Sequence, residues 1–152
     1  MTKHILITFF SAMLPVLELR FAIPYGVIHD LHPLVAALIA FAGNCIPVPF
    51  IILFVRRVFA FMKKVSPRLG QFAERMEARA LKKSDAMTRG ILIGLFLFIA
   101  IPLPGTGAWT GSLIAAMLNL RLKVALPVVY AGVAAMAILT TGVTFGFASL
   151  IN

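Results

Sequence analysis

The segment PVLELRFAIPYG, at residues 15–26, places an acid and a base inside an otherwise apolar stretch. Glu18 and Arg20 are two residues apart and are bounded by Pro15 and Pro24. Ionisable groups inside a membrane are costly, and they commonly mark proton, ion or substrate sites. The carboxyl group of Glu18 can carry a proton, and Arg20 can hold it ionised or bind a phosphate. The alternative is an internal ion pair that only fixes the local fold.

A second candidate group lies in the sequence IPLPGTGAWTG, at residues 101–111. Its prolines and glycines interrupt a helix and expose backbone N–H and C=O groups that can bind a ligand. Non-helical backbone at membrane depth is tolerated only where it is buried in protein or lines a water-filled cavity. Trp109 is either a wall of the substrate site or a packing residue. The candidate binding residues of this segment are Pro102, Pro104, Gly105, Thr106, Gly107 and Trp109.

Asn44, in the sequence GNCIPVP, is a third polar group in an apolar run. It is a candidate ligand for a substrate or ion, or an anchor for a neighbouring hairpin. The alternative is that Pro47 and Pro49 kink a helix and that Asn44 satisfies the backbone groups released by the kink. Cys45 is the single cysteine, which excludes an internal disulfide, and we interpret it as a small buried hydrophobe.

The composition of the chain indicates an integral membrane protein. Of its 152 residues, 61% are hydrophobic and 12% are charged, which is more apolar surface than a soluble domain of this length can bury. The ranges 33–55, 90–120 and 124–152 carry no formal charge. Each is longer than the roughly 20 residues that cross a membrane as a helix.

The net charge of +9 is concentrated in one connection. Ten Lys and Arg residues and three acids lie between positions 56 and 89, and basic residues accumulate in cytoplasmic loops. Within this connection, Leu69, Phe72 and Met76 share one face of a predicted amphipathic helix that can lie on anionic lipid. A solvated linker helix is the alternative. Nucleic-acid binding is disfavoured, since the positive-inside rule already explains the charge.

Two topologies account for the hydrophobic segments. In the first, four segments each cross once, at about 4–28, 33–58, 90–119 and 124–150. This arrangement places Arg121 and Lys123 on the outer face, against the positive-inside rule. In the second, segments 4–30 and 89–119 are re-entrant, turn at their proline-rich centres and meet near the middle of the membrane. Residues 56–89 and 119–123 are then both cytoplasmic and both termini lie outside, which the charge pattern favours.

The two halves of the chain also align weakly without a gap. Residues 15–43 match residues 104–132, so that Pro15 meets Pro104 and Gly43 meets Gly132. We therefore predict an all-α membrane fold of two inverted repeats, each a re-entrant helical hairpin plus one transmembrane helix. Transporters with this plan bind their substrates near the midplane. The predicted ranges are a first repeat at 1–60, a basic amphipathic connector at 61–88 and a second repeat at 89–152.

The motifs LPVLELRFAIPYG, AGNCIPVPF and IPLPGTGAWTGSLIAAMLNL, separated by a basic connector, resemble the putative small multidrug-export family of prokaryotic membrane proteins. That family is similar, more distantly, to the DedA/VTT superfamily of re-entrant proteins, which includes lipid scramblases and polyprenyl-phosphate transporters. The resemblance implies a membrane-embedded acid, here Glu18, and a proline and glycine bend, here at Pro102, Pro104 and Gly105. DedA proteins usually carry arginines beside the second bend, and none lies between Arg89 and Arg121.

These features predict a transporter or lipid flippase, coupled to protons or sodium, for an amphipathic substrate such as a drug-like cation or a polyprenyl-phosphate lipid. The alternative is a scaffold or assembly factor that binds anionic lipid or a partner through its basic connector. No nucleophile set, metal cluster or nucleotide-binding loop indicates an enzyme or a cofactor. We expect a prokaryotic inner-membrane protein that contacts membrane lipids and forms a homodimer. The glycine pairs Gly90 and Gly94, and Gly142 and Gly146, can pack between copies or within one.

Overall fold

The computed structural model describes residues 2–81 and 85–151. These residues form helices joined by short turns, and no strand occurs among them, so the all-α prediction is confirmed. Lys82, Lys83 and Ser84 of the predicted connector 61–88 lie outside the described residues. The helices are α1 (Thr2–Met13), α2 (Glu18–Ile28), α3 (Pro33–Cys45), α4 (Pro47–Val65), α5 (Pro67–Leu81), α6 (Asp85–Ala100), α7 (Ala108–Met117) and α8 (Leu122–Ile151).

Proline sets several of the helix boundaries. Pro33 and Pro47 lie in the first turns of α3 and α4, where the missing N–H costs nothing because the first amides of a helix are unpaired. The ring nitrogen of His32 accepts a hydrogen bond from the Leu34 N–H at 3.3 Å and caps α3. The segment Pro33–Val65 is therefore one long apolar stretch with a break at Ile46.

Two helical stretches, Pro33–Val65 and Leu122–Phe147, are long and apolar enough to cross a membrane. They correspond to the crossings expected from the sequence at 33–58 and 124–150. The shorter apolar helices Thr88–Ala100 and Ala108–Met117 lie between them in the chain. The large exposed hydrophobic side chains along these helices suit a protein whose outer surface faces lipid rather than water.

Glycines allow the helices to pack closely. A Cβ atom on Gly26 of α2 would lie 2.9 Å from the Ala36 Cβ of α3. A Cβ on Gly132 of α8 would lie 2.8 Å from the Ile99 Cβ of α6. Any larger residue at either glycine would push the helices apart. The core is accordingly built from small and branched side chains of several helices, among them Ala12, Ile23, Ala40, Val48, Ile99 and Val129.

Helices α3 and α8 pack side by side in opposite directions. The Tyr130 hydroxyl of α8 donates to the Cys45 carbonyl of α3 at 3.4 Å. Residues 34–41 of α3 and 134–141 of α8 line one apolar groove of about 410 Å³. Because later residues of α8 lie beside earlier residues of α3, the pair is antiparallel and links the two halves of the chain.

Four of the five described residues with a positive φ form two pairs with the same separation along the sequence. Glu18 and Gly107, with φ angles of 45° and 126°, lie at the starts of α2 and α7. Asp30 and Asn119, with φ angles of 65° and 51°, follow the ends of the same two helices. Asp and Asn tolerate this conformation better than most residues, whereas for Glu it is uncommon. The two helices therefore end in matching turns, whereas at their starts the two residues share only the sign of φ.

The hydrogen bonds of these turns also match. The Leu31 N–H donates to the Gly26 carbonyl at 3.0 Å after α2. The Leu120 N–H donates to the Ala115 carbonyl at 3.0 Å after α7. These are the equivalent positions in the gapless alignment of the two halves, so the weak sequence similarity coincides with a local similarity of backbone.

Candidate functional site

The first part of the site is the turn between α1 and α2. Pro15 has no N–H to continue the helix, and the chain reverses over residues 14–17. The Glu18 N–H donates to the Leu14 carbonyl at 3.1 Å, which closes this turn. Helix α2 then begins at Glu18, whose side chain is only 4% exposed. The turn thus buries a carboxylate at the start of α2.

The second part is the loop between α6 and α7, residues 101–107. The Thr106 hydroxyl lies 2.7 Å from the carbonyl oxygens of both Ile101 and Leu103, and it holds the loop together. Gly105 and Gly107 have positive φ angles of 87° and 126°, which favour glycine. This loop directs the N-terminal amides of α7 toward the turn between α1 and α2.

The Glu18 carboxylate lies at the N-terminus of α7. The Trp109 N–H donates to Glu18 Oε1 at 3.3 Å. A Cβ on Gly107 would overlap Glu18 Oε2, so the loop backbone and the carboxylate are in direct contact. Because the first amides of a helix carry partial positive charge, they attract the Glu18 carboxylate at this position. Glu18, in the first half of the chain, therefore caps the N-terminus of α7 in the second half.

Arg20 binds the same loop beside Glu18. Its Nη2 donates to the Thr106 carbonyl and lies 3.1 Å from the Thr106 hydroxyl. The same nitrogen lies 3.6 Å from Glu18 Oε2 and forms an ion pair with it. Glu18 Oε2 and Arg20 Nε have no hydrogen-bond partner among the described residues. The pair thus holds the two parts of the site together and keeps one acceptor and one donor available.

Trp109 is fixed by a contact that the sequence did not indicate. Its indole N–H donates to the Met13 carbonyl at 3.0 Å. This carbonyl lies in the last turn of α1, where backbone acceptors lack partners within the helix. Trp109 therefore contacts the first turn through both its backbone, at Glu18, and its side chain, at Met13. Its side chain therefore packs against the turn between α1 and α2.

Asn44 is fully buried in α3, and neither its side-chain oxygen nor its nitrogen has a hydrogen-bond partner in the described part of the chain. The expected alternative, in which Asn44 satisfies backbone groups at the proline kink, is therefore not observed. Neighbouring Gly43 contacts Phe9 and Ala12 of α1, so this part of α3 packs against α1. An unpaired buried amide of this kind costs about 1–3 kcal/mol for each group left unsatisfied.

The structure brings five of the nine predicted site residues into one cluster. Four of them, Glu18, Arg20, Thr106 and Trp109, are joined by polar contacts, and Gly107 touches the carboxylate. Asn44 makes no hydrogen bond to this cluster among the described residues. Pro102, Pro104 and Gly105 are exposed, and a Cβ on Gly105 would meet nothing within 4 Å. These three shape the loop rather than face the carboxylate.

Arg56 joins the two halves at a second point. Its guanidinium Nη2 donates to the Leu120 carbonyl beyond the end of α7, where unpaired carbonyls attract a positive charge. In the sequence, the only sign of this role is that Arg56 is the first charged residue after the apolar run 33–55. Among the described residues, no group of three or more His, Cys, Asp or Glu side chains is arranged to hold a metal ion.

The comparisons with known proteins give one family. A family model described as putative small multi-drug export protein matches residues 18–139. This range covers most of the chain and contains every candidate site residue. No curated protein and no solved structure gives a significant match.

Proposed function

Since the chain belongs to the family of putative small multi-drug export proteins, we propose that it is a membrane transporter or lipid flippase. It moves an amphipathic substrate between two re-entrant hairpins, α1–α2 and α6–α7, and is coupled to protons or sodium. The observation that carries this proposal is the buried Glu18–Arg20 pair, which bonds to the loop of the other hairpin. Ionisable residues inside a membrane protein are functional candidates by default.

The re-entrant arrangement has support from contacts near the ends of the helices. The Arg56 guanidinium binds the Leu120 carbonyl, so the end of α7 lies on the same side as the basic connector. Four single crossings would separate these two positions by the thickness of the membrane. The positive-inside rule then assigns this side to the cytoplasm of a prokaryotic inner membrane.

The inverted repeat is supported by three matching features. The left-handed residues Asp30 and Asn119 that follow α2 and α7 match, as do the hydrogen bonds of the turns in which they lie. The antiparallel pair of α3 and α8 is the arrangement expected when two equivalent helices cross near an axis in the membrane plane. Motif resemblance extends the proposal to a distant relationship with the DedA/VTT superfamily.

Glu18 is the proposed coupling group. When ionised, its carboxylate accepts the Trp109 N–H and pairs with Arg20. Binding of a proton cancels the ion pair and the attraction to the α7 N-terminus. Loss of these contacts loosens the junction between the hairpins and opens a path for the substrate. Sodium can act in the same way by drawing the carboxylate away from the amide and the guanidinium.

Arg20 sets the expected substrate chemistry. Its free Nε can receive an anionic headgroup such as a polyprenyl phosphate when the Glu18 contact is released. A drug-like cation would instead bind Glu18 directly. The second hairpin has no arginine between Arg89 and Arg121, so a phosphate would depend on Arg20 alone. Asn44, whose buried amide atoms have no hydrogen-bond partner among the described residues, is the proposed uncharged ligand.

A homodimer is part of the proposal, because two crossing segments enclose little of a pathway. A Cβ on Gly142 or Gly146 of α8 would meet no described residue within 4 Å, and the same holds for Gly90 and Gly94 of α6. Glycines spaced four apart allow two helices to approach closely. Disulfide cross-linking of Gly142→Cys chains in membranes, in a Cys45→Ala background, should yield dimers, whereas only monomers would contradict the proposal.

The function is tested in proteoliposomes with a panel of drug cations and polyprenyl phosphates, with and without a proton or sodium gradient. Glu18→Gln keeps the shape of the side chain but cannot exchange a proton, and it should abolish gradient-driven transport. Glu74→Gln, which removes an exposed acid of α5, is the matched control and should transport at the parent rate. Glu18→Gln that transports at the parent rate, with unchanged pH dependence, would reduce the pair to a structural contact.

A scaffold or assembly factor is the second candidate, favoured by the exposed basic residues of α4 and α5. It predicts that Glu18→Gln retains function in cells while loss of the connector charges abolishes it.

The proposed topology has its own test. Single cysteines at Asp30 and Asn119 should label from opposite faces of intact cells, whereas labelling of both from outside would restore four ordinary crossings.

A further inference from the structure

Helix α4 carries an exposed apolar stripe that continues into its basic end. Phe50, Phe54, Phe61 and Val65 are 68%, 68%, 66% and 62% exposed. Their spacing of four and seven residues places them along one side of the helix. A lipid-facing stripe explains Phe50 and Phe54, but Phe61 and Val65 lie among the charged residues of the connector.

The Arg56 contact shows how far the apolar stripe of α4 extends beyond the packed helices. Arg56 binds the Leu120 carbonyl at the end of α7, which marks the limit of the packing between the two halves. Val65 follows nine residues later, about 13 Å farther along a helix that rises 1.5 Å per residue. A helix perpendicular to the membrane would carry Phe61 and Val65 into water. An oblique helix keeps them at the interface.

Helix α5 turns back beside this end of α4. Ser66 is extended, with a φ of −143°, and ends α4. Gly70 of α5 then packs on the backbone of Lys63, where a Cβ would lie 3.4 Å from the Lys63 carbonyl oxygen. Phe72 is 53% exposed. The two helices thus form a hairpin with exposed aromatic residues on both.

The charges of this hairpin select the partner. Among its described side chains are four exposed cations, Arg57, Lys64, Arg68 and Arg75, and the exposed acid Glu74. A second copy of the same surface would bring like charges together, which disfavours a dimer here. Aromatic and aliphatic side chains beside cations are the composition that binds anionic membrane surfaces.

We infer that the α4–α5 hairpin binds anionic phospholipid headgroups of the adjacent leaflet, with Phe61, Val65 and Phe72 inserted at the boundary between headgroups and acyl chains. The inference is independent of the proposed transport, since it uses neither Glu18 nor Arg20. It makes the hairpin a lipid-binding surface whose occupancy depends on the anionic lipid content of the membrane.

The experiment places one cysteine at Phe61, Phe72 or Ala78 of the full chain in a Cys45→Ala background. Each is labelled with an environment-sensitive fluorophore and reconstituted into vesicles of phosphatidylcholine, with or without phosphatidylglycerol. Lipids with a quencher near the headgroup report the depth of each label. Ala78 is exposed on a different face of α5 and is the matched control.

The labels at positions 61 and 72 should be quenched more than the label at 78, and addition of phosphatidylglycerol should increase this difference. Arg68→Gln and Arg75→Gln should each lower the apparent affinity for phosphatidylglycerol about fivefold. Equal quenching at all three positions, or quenching that does not depend on phosphatidylglycerol, would overturn the inference. Disulfide dimers through position 61 would also overturn it, because they would assign the surface to a second copy. Unchanged elution on gel filtration verifies that each variant is folded.

Discussion

Replacement of Gly107 by alanine tests the contact between the two halves most directly. The φ of 126° at Gly107 lies in a region that is essentially restricted to glycine, and a side chain there costs about 1–3 kcal/mol. The new methyl group also displaces the Glu18 carboxylate from its contact with the loop. Loss of the charge-assisted bond from the Trp109 N–H costs about 1.5–3 kcal/mol. Together these effects should lower the free energy of unfolding by about 4 kcal/mol.

Gly105→Ala is the matched control for this prediction. Gly105 also has a positive φ, 87°, but a Cβ there would meet nothing within 4 Å. Its replacement should therefore cost only the backbone strain, about 1–2 kcal/mol. The two glycines lie in the same loop, so they share any general effect of stiffening it.

The assay is denaturant unfolding in detergent, carried out in the parent and in a Glu18→Ala background. Without the carboxylate, the cost of Gly107→Ala should fall to its backbone part, about 1–3 kcal/mol. The cost of Gly105→Ala should be the same in both backgrounds, because that residue has no contact with position 18. An equal cost of Gly107→Ala in both backgrounds would refute the proposed contact between the Glu18 carboxylate and the start of α7.

Three further predictions concern other positions. Asn44→Leu should raise the free energy of unfolding by about 1–3 kcal/mol, since it removes unpaired polar groups. The same substitution should lower transport. Thermal melts and flux assays on one preparation measure both effects. Arg56→Gln should cost about 1–3 kcal/mol in denaturant unfolding, because the Leu120 carbonyl loses a charged donor. Burial lowers the pKa of His4 from its ordinary value of 6.5, and the positive charge of the stacked His29 imidazole lowers it further. Stability should therefore fall as the pH drops through 6.5, and His4→Phe should remove that part of the dependence in thermal melts from pH 8 to 5.

The helical class and the two long apolar stretches followed from composition and from the absence of charge, since both depend only on local sequence. The bends at residues 14–17 and 101–107 also followed, because proline and glycine restrict or release the backbone regardless of what packs against them. Their position at the proline-rich centres of the apolar segments 4–30 and 89–119 indicated where polar groups would collect.

The pairing of side chains did not follow from the sequence. The bonds from Trp109 to Met13 and from Arg56 to Leu120 depend on how far each helix is rotated and shifted against its neighbours. Hydrophobic periodicity predicts which face of a helix is buried, but it does not predict which helix covers that face. The absence of a partner for Asn44 is likewise a property of the packed structure, because the sequence equally allowed it to bond to released backbone groups.

The Glu18 contact with the start of α7 has a consequence for biosynthesis. The ribosome completes Glu18 long before Trp109, so the carboxylate enters the membrane during translation without its amide partner. The N-terminal half must therefore wait with Glu18 paired to Arg20 but without the α7 amide until the second half is inserted. Nascent chains truncated before Ala108 should be held by the insertion machinery or degraded, and co-expression of the missing segment should rescue them. Assembly of this protein is thus a joining of two incomplete halves rather than a sequence of independently stable hairpins.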